Sequence, residues 1–177
     1  MHILMCNDDG ILADGLRHLA SYLSQYYRIT VVAPANEQSA KSHALTTEVP
    51  LKLDAYNGED ENPRLYALTG TPSDCMKFGL SYLLTDDMPD LVISGINHGF
   101  NLGSDVLYSG TVSAAMESCF YGIPGLALSV ERYSAERCAE MHLFIHELID
   151  KIYVKGQFSG LLNVNFPLRG ICDWDHF

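Results

Sequence analysis

The sequence predicts an α/β fold built on a mostly parallel sheet, and three observations carry that expectation. Short apolar runs of strand length recur along the chain, segments with three- and four-residue apolar spacing lie between them, and the runs break on glycine, proline or polar clusters. Strands and helices that alternate at this spacing join through right-handed crossovers, the connections from which parallel sheets are made.

The elements follow in order. Residues 3–6 form a short apolar run that stops at Asn7-Asp8-Asp9-Gly10, as a strand buried on both faces does when it reaches a polar edge. From Asp14, the residues Leu16, Leu19, Ala20, Leu23 and Tyr27 fall on one helical stripe, and residues 29–33 then read as a strand closed by Pro34. A polar loop around Glu37-Gln38-Ser39 leads through a weakly extended stretch, 45–53, to a strand at 65–68. Thr71 is positioned to cap the next helix, with Pro72 at its first position and Asp74 near the positive end of its dipole. Residues 91–93 are the next buried strand, and a glycine-punctuated segment, 94–111, separates it from a helix over about 112–121 that Gly122 and Pro124 stop. A strand at 126–130, a long amphipathic helix over 135–153 and a strand at 161–166 complete the series before Pro167.

With 177 residues, 47% hydrophobic and 19% charged, the chain is sized and composed for one ordered domain. Its net charge of −11 argues against a nucleic-acid duplex or an anionic membrane as partner, since both require a basic surface. A phosphate ester would be repelled too, unless a metal ion or a cluster of backbone N–H groups reversed the local sign. The five cysteines are widely spaced and form no C-x-x-C pair, so they read as reduced core residues. No signal-peptide pattern or membrane-length apolar stretch is present, which makes the cytoplasm the expected location.

Ligands of open α/β sheets bind beyond the carboxyl ends of the strands, so the polar strand exits carry the functional information. Four stand out: Asn7-Asp8-Asp9-Gly10, the loop with Ser39, the turn Thr69-Gly70-Thr71, and Ser94-Gly95-Ile96-Asn97-His98-Gly99. If the backbone turns at Gly10, Asp8 and Asp9 can converge on one hard cation, with the Ser39 hydroxyl and the Asn97 amide oxygen completing an all-oxygen set suited to Mg²⁺ or Mn²⁺. The same residues also read as a plain turn in which Asp9 caps the following helix. Ser109-Gly110-Thr111 precedes a helix start, where small residues let amides and hydroxyls approach a phosphate; a ligand-free cap has the same sequence. There is no Walker lysine pattern and no G-x-G-x-x-G after the first strand.

Taken together, Asn7-Asp8-Asp9-Gly10-Ile11, Val32-Ala33-Pro34 with Gln38-Ser39, Gly70-Thr71-Pro72-Ser73-Asp74-Cys75, Pro89-Asp90-Leu91-Val92-Ile93-Ser94-Gly95-Ile96-Asn97 and Tyr108-Ser109-Gly110-Thr111-Val112 resemble the SurE survival-protein family over about 1–167. The resemblance implies a Rossmann-like three-layer fold and a phosphatase acting on nucleoside 5'-monophosphates, on 3'-nucleotides and on short polyphosphate. It implies one divalent metal ion per subunit, Mg²⁺ or Mn²⁺, on residues matching Asp8, Asp9, Ser39 and Asn97. Asp8, Asp9 and Asn97 would carry catalysis, and Asn97, Ser109, Gly110 and Thr111 would line the phosphate pocket of a homodimer or homotetramer. Ala40 and Ser113 stand where the family commonly has glycine. Family members commonly continue well past the segment 163–167, whereas residues 168–177 read as a short divergent tail.

The mechanism expected from these residues is metal-assisted attack of water, with the 109–111 amides stabilising the transferring phosphoryl group. His98 is either a general acid for the leaving group or an ordinary surface histidine. Two other readings stay open: a nucleotide-binding module that has lost turnover through C-terminal truncation, and a phospho-aspartyl hydrolase, although the latter commonly carries D-x-D rather than adjacent aspartates. Tyr22, Tyr26 and Tyr27 read as a partly buried helix flank or as a subunit interface.

Overall fold

The computed structural model describes residues 1–167 apart from 59, 133 and 157, together with all but four side chains of that span (135, 136, 138 and 139); the tail expected at 168–177 lies outside the described residues. Among the described residues seven strands form one sheet: β1 (His2–Cys6), β2 (Arg28–Pro34), β3 (Leu53–Ala55), β4 (Arg64–Leu68), β5 (Leu91–His98), β6 (Gly125–Val130) and β7 (Leu161–Phe166). Their order is β3-β4-β2-β1-β5-β6-β7, and every neighbouring pair is parallel except β3 with β4. The expected α/β sheet is therefore present, with an antiparallel edge strand that begins only at Leu53, the last residue of the stretch 45–53 expected to be extended, whose other residues are not strand.

The side-chain alternation of the strands builds the three layers. Ile3 and Met5 of β1, Ile29, Val31 and Ala33 of β2 and Leu91 and Ile93 of β5 face one core, which α1 (Asp14–Leu23) and α4 (Ala135–Leu148) cover. Leu4 and Cys6, Val32 and Val92 face the other, under α2 (Pro72–Phe78) and α3 (Gly110–Cys119). Such apolar runs, buried on both faces, are what a central parallel strand requires, and each large side chain taken fully out of water contributes about 1.5–3 kcal/mol. Both α2 and α4 continue as π-helical segments, Gly79–Leu83 and Ile149–Lys155.

Local signals act as expected at α2. The Thr71 hydroxyl accepts from the Asp74 amide at 3.1 Å, and the Asp74 carboxylate accepts from the Thr71 amide at 2.9 Å, a reciprocal cap that satisfies two otherwise orphaned donors. Tyr22 and Tyr26 pack on His142 and His146 of α4, with ring centroids 5.2 and 4.1 Å apart, so the tyrosines form a helix flank between α1 and α4. Cys6 and Cys75 are buried and free, and burial pushes the Cys75 thiol well up. Among the described residues no helix is long and apolar enough to cross a membrane.

One boundary differs in a way that matters. The segment expected as a loop from Ser94 is strand as far as His98, with a break in register between Ser94 and Asn97. Gly95 has φ of +129°, and a Cβ there would lie 2.3 Å from the Leu128 carbonyl oxygen. Only glycine permits that approach, which lets β5 deform and still carry Asn97 to the sheet edge.

Candidate active site

The strand order reverses between β1 and β5, since the chain builds outward from β1 through β2 and β4 and then crosses to β5, β6 and β7. A crevice beyond the carboxyl ends of the strands at such a switch point is the usual ligand site of an open α/β sheet. Asp8 and Asp9 follow β1, Asn97 and His98 end β5, and the Ser39 loop follows β2, so all lie at this edge.

The Asp8-Asp9 turn is made by its neighbours. The Asn7 side chain donates to the Gly10 carbonyl at 3.0 Å and accepts from the Gly10 amide at 3.1 Å, while Gly10 takes φ of +102°. The Gln38 amide donates to the Asp8 carbonyl at 2.7 Å and ties the loop after β2 to the same turn. Asp9 does not cap α1: the cap position is Ala13, with no side-chain hydrogen bond.

Asp8 is 5% exposed and receives the Thr111 hydroxyl at 2.5 Å. Burial raises the Asp8 pKa, opposed by the Thr111 hydroxyl, by backbone amides at Asp8 and Thr111, and raised further by Glu37. A Cβ on Gly110 would lie 3.0 Å from the Asp8 Cβ and 3.1 Å from its Oδ2, so glycine is what brings the N-terminus of α3 against this carboxylate. Ser109 caps the helix, accepting from the Val112 amide at 3.1 Å. Thr111 is fully buried, so its hydroxyl serves Asp8 rather than facing the cleft.

Burial, then the charges of Asp8 and Glu37, push the Asp9 carboxyl up to about 6, against opposing contributions from the His98 side chain and amide. Among the described residues no lysine or arginine forms an ion pair with Asp8, Asp9 or Glu37. Glu37 raises both aspartate pKa values and Asp8 raises that of Asp9, a mutual repulsion that a divalent cation would relieve.

Asp8, Ser39, Asn97 and Ser109 line one cleft of about 320 Å³. The Asn97 Nδ2 donates to the Gly99 carbonyl at 2.8 Å, which turns its Oδ1 away and leaves that oxygen as an acceptor. The exposed Ser39 hydroxyl donates to Glu37 at 2.8 Å, leaving its lone pairs free. Asp9 lines an adjacent hollow of about 220 Å³ with Ile96 and His98, and His98 belongs to both. The expected ligands are therefore neighbours, but the two aspartates open on separate hollows. Among the described residues no three His, Cys, Asp or Glu side chains gather as a metal-binding group; the donors here are two carboxylates, a hydroxyl and an amide oxygen, a set that suits a hard cation.

Several residues at the site are not among those the sequence pointed to. Asn101 is buried beside the cleft; its amide donates to Asn165 at 2.9 Å, its carbonyl accepts from Asn163 at 2.9 Å, and its side chain donates to Ser129 at 2.8 Å. Asn163 and Asn165 are two apart in β7 and so share a face, and a polar pair at that spacing inside an apolar strand was the available clue. The segment after Ser39 is fastened at several points: Ser42 to the Leu107 and Tyr108 carbonyls, His43 to buried Glu117 at 2.6 Å, and Thr46 to Asp74 at 2.6 and 2.9 Å. Ala40, at the family's usual glycine position, has φ of +56°, where alanine is strained by about 1–2 kcal/mol.

The family described as "Survival protein SurE" matches residues 3–176 of this chain. A protein of a Thermoanaerobacter species named "5'-nucleotidase SurE" is 49% identical over 168 residues, covering 94% of this chain and 66% of the relative. A Caldanaerobacter subterraneus protein of the same name is 48% identical, covering 93% and 65%. The crystal structure of the SurE protein from Aquifex aeolicus superposes with a TM-score of 0.80 at 37% identity, covering 94% of this chain and 66% of that one. The chain thus spans slightly less than two thirds of the length of these two curated relatives.

Proposed function

This chain belongs to the SurE survival-protein family, and we propose that it is a divalent-metal-dependent phosphatase that hydrolyses nucleoside 5'-monophosphates to nucleoside and phosphate. The observation that carries the reading is convergence: Asp8, Ser39, Asn97 and Ser109, from four separate parts of the chain, line one cleft at the switch point of the sheet. The names of the relatives support the substrate class.

Asp8, Asp9, Ser39 and Asn97 would hold one Mg²⁺ or Mn²⁺ per subunit. When bound, that ion supplies charge neutralisation and an activated water beside the phosphoryl group. The chain's own residues supply position. Thr111 holds the Asp8 carboxylate by its hydroxyl and favours its ionised form. The His98 amide does the same for Asp9. Asn97 directs its amide oxygen away from Gly99, and Ser109 and Gly110 at the N-terminal end of α3 would meet the phosphate there. His98, which borders both hollows, would donate a proton to the departing ribose oxygen. Assembly as a homodimer or homotetramer, action on 3'-nucleotides and polyphosphate, and a cytoplasmic location are parts of the same proposal.

Phosphate release from AMP or GMP, measured with and without Mg²⁺ or Mn²⁺, tests it. The expected result is metal-dependent release that Asp8→Asn and Asp9→Asn each abolish. Nucleotide binding without metal-dependent release would identify a binding module instead.

A further inference from the structure

The cleft has a second chemical character that phosphate chemistry does not use. Its inner part is polar, formed by Asp8, Asn97, Asn101 and Ser109, but Phe100 and Tyr108 also line it, and they remain 37% and 65% exposed. Among the described residues neither ring has an aromatic partner. Scattered exposed apolar residues need no explanation, but two unpartnered rings on the wall of a polar cleft do.

The backbone that presents these rings is fastened on both sides. Next to Phe100, Asn101 is held by Asn163 and Asn165 of β7 and by Ser129 of β6. At the other end the Leu107 and Tyr108 carbonyls accept from the Ser42 hydroxyl and amide at 2.8 and 3.1 Å, and the Tyr108 amide donates to the Asp105 carbonyl at 3.0 Å. A platform fastened in this way loses little entropy when a flat ligand settles on it. At about 320 Å³ the cleft lies at the low end of the range of about 300–1,000 Å³ common for small-molecule sites.

We propose that Phe100 and Tyr108 form the nucleobase subsite of this cleft, stacking on the base of a nucleoside monophosphate whose phosphate lies toward Asp8, Asn97 and Ser109. Every base has a π-face, so such a platform selects nucleotides over other phosphate esters while tolerating different bases. The proposal rests on the phosphatase reading of the same cleft, and the experiment separates the two.

Two esters with the same reacting end isolate the base: AMP and ribose 5-phosphate. The full-length chain, Phe100→Ala, Tyr108→Ala and Tyr108→Phe are compared for kcat/KM on both, with adenosine binding followed by saturation-transfer NMR. Both side chains are exposed and neither makes any of the bonds that anchor the segment, so the alanine variants keep its framework. Each alanine variant is expected to lower kcat/KM for AMP by about 5- to 150-fold relative to ribose 5-phosphate and to weaken adenosine binding, while Tyr108→Phe retains both. An equal effect on the two esters, no effect on either, or adenosine binding that survives in both alanine variants overturns the proposal. If the unaltered chain hydrolyses neither ester, the phosphatase reading fails, and the subsite stands or falls on adenosine binding and its loss in the variants.

Discussion

Replacing Thr111 with valine removes one hydroxyl from the centre of the site and changes almost nothing in volume. That hydroxyl is 2.5 Å from Oδ1 of Asp8, Thr111 is fully buried and Asp8 is 5% exposed, so water cannot take its place. A hydrogen bond to a charged group is worth about 1.5–3 kcal/mol, and burial of both partners removes the reason to discount it. Thr111→Val is therefore expected to cost about 1.5–3 kcal/mol at neutral pH by guanidinium melts. The hydroxyl opposes the rise that burial imposes on the Asp8 pKa, so its loss lets that pKa climb further. The acid limb of the pH profile for the proposed release of phosphate from AMP should move to higher pH, and more Mn²⁺ should be needed for half-activation. Thr111→Ser, which keeps the donor, should stay within about 1 kcal/mol and retain the profile. A valine variant that loses less than about 0.5 kcal/mol, with metal requirement and pH profile unchanged, would refute the reasoning.

Two further predictions concern the same edge of the sheet. The Glu117 carboxylate is buried and receives His43 at 2.6 Å, which fastens the segment after Ser39 to α3; Glu117→Gln should loosen it, increase proteolytic cleavage over residues 39–47 and raise the Mn²⁺ needed for half-maximal thermal stabilisation by about 10-fold, the low end for lost outer-sphere support of a metal site. Asp9 has a folded-state pKa of about 6 against 3.8, so in metal-free protein its ionisation costs nothing below about pH 4, an increasing amount between pH 4 and 6, and its full amount above; the shift corresponds to about 3 kcal/mol, which partial exposure reduces to roughly 1–2, and the stabilisation conferred by Mn²⁺ should grow across the same window and flatten in Asp9→Asn.

The fold was readable because its signals are local. Ile3 to Cys6 could be assigned to a doubly buried strand from its composition alone, and Thr71, Pro72 and Asp74 announce a helix start because capping acts within three residues. The strand limits of β5 were not readable. Whether Ser94 to His98 continue the sheet depends on the Leu128 carbonyl fitting against Gly95, a contact between residues more than thirty positions apart. The edge strand β3 was equally obscure, since three residues pairing with Leu68, Ala67 and Tyr66 leave almost no periodic trace.

The site divides in the same way. Asn7, Asp8, Asp9 and Gly10 are visible in sequence as a polar turn that ends a buried strand, a pattern a plain turn shares, and β1, β2 and β5 bring Asp8, Ser39 and Asn97 to one edge. By itself the sequence determined the layers, the order of helices and strands, the caps, and which edge of the sheet would be polar. Only the tertiary structure decided that Thr111 serves Asp8 across 103 positions, that His43 reaches Glu117 across 74, that Asn101 is held from β7, and that the two aspartates open on separate hollows. Propensity and periodicity act over a turn or two of chain, whereas these contacts exist only once the sheet has brought distant segments within hydrogen-bonding distance.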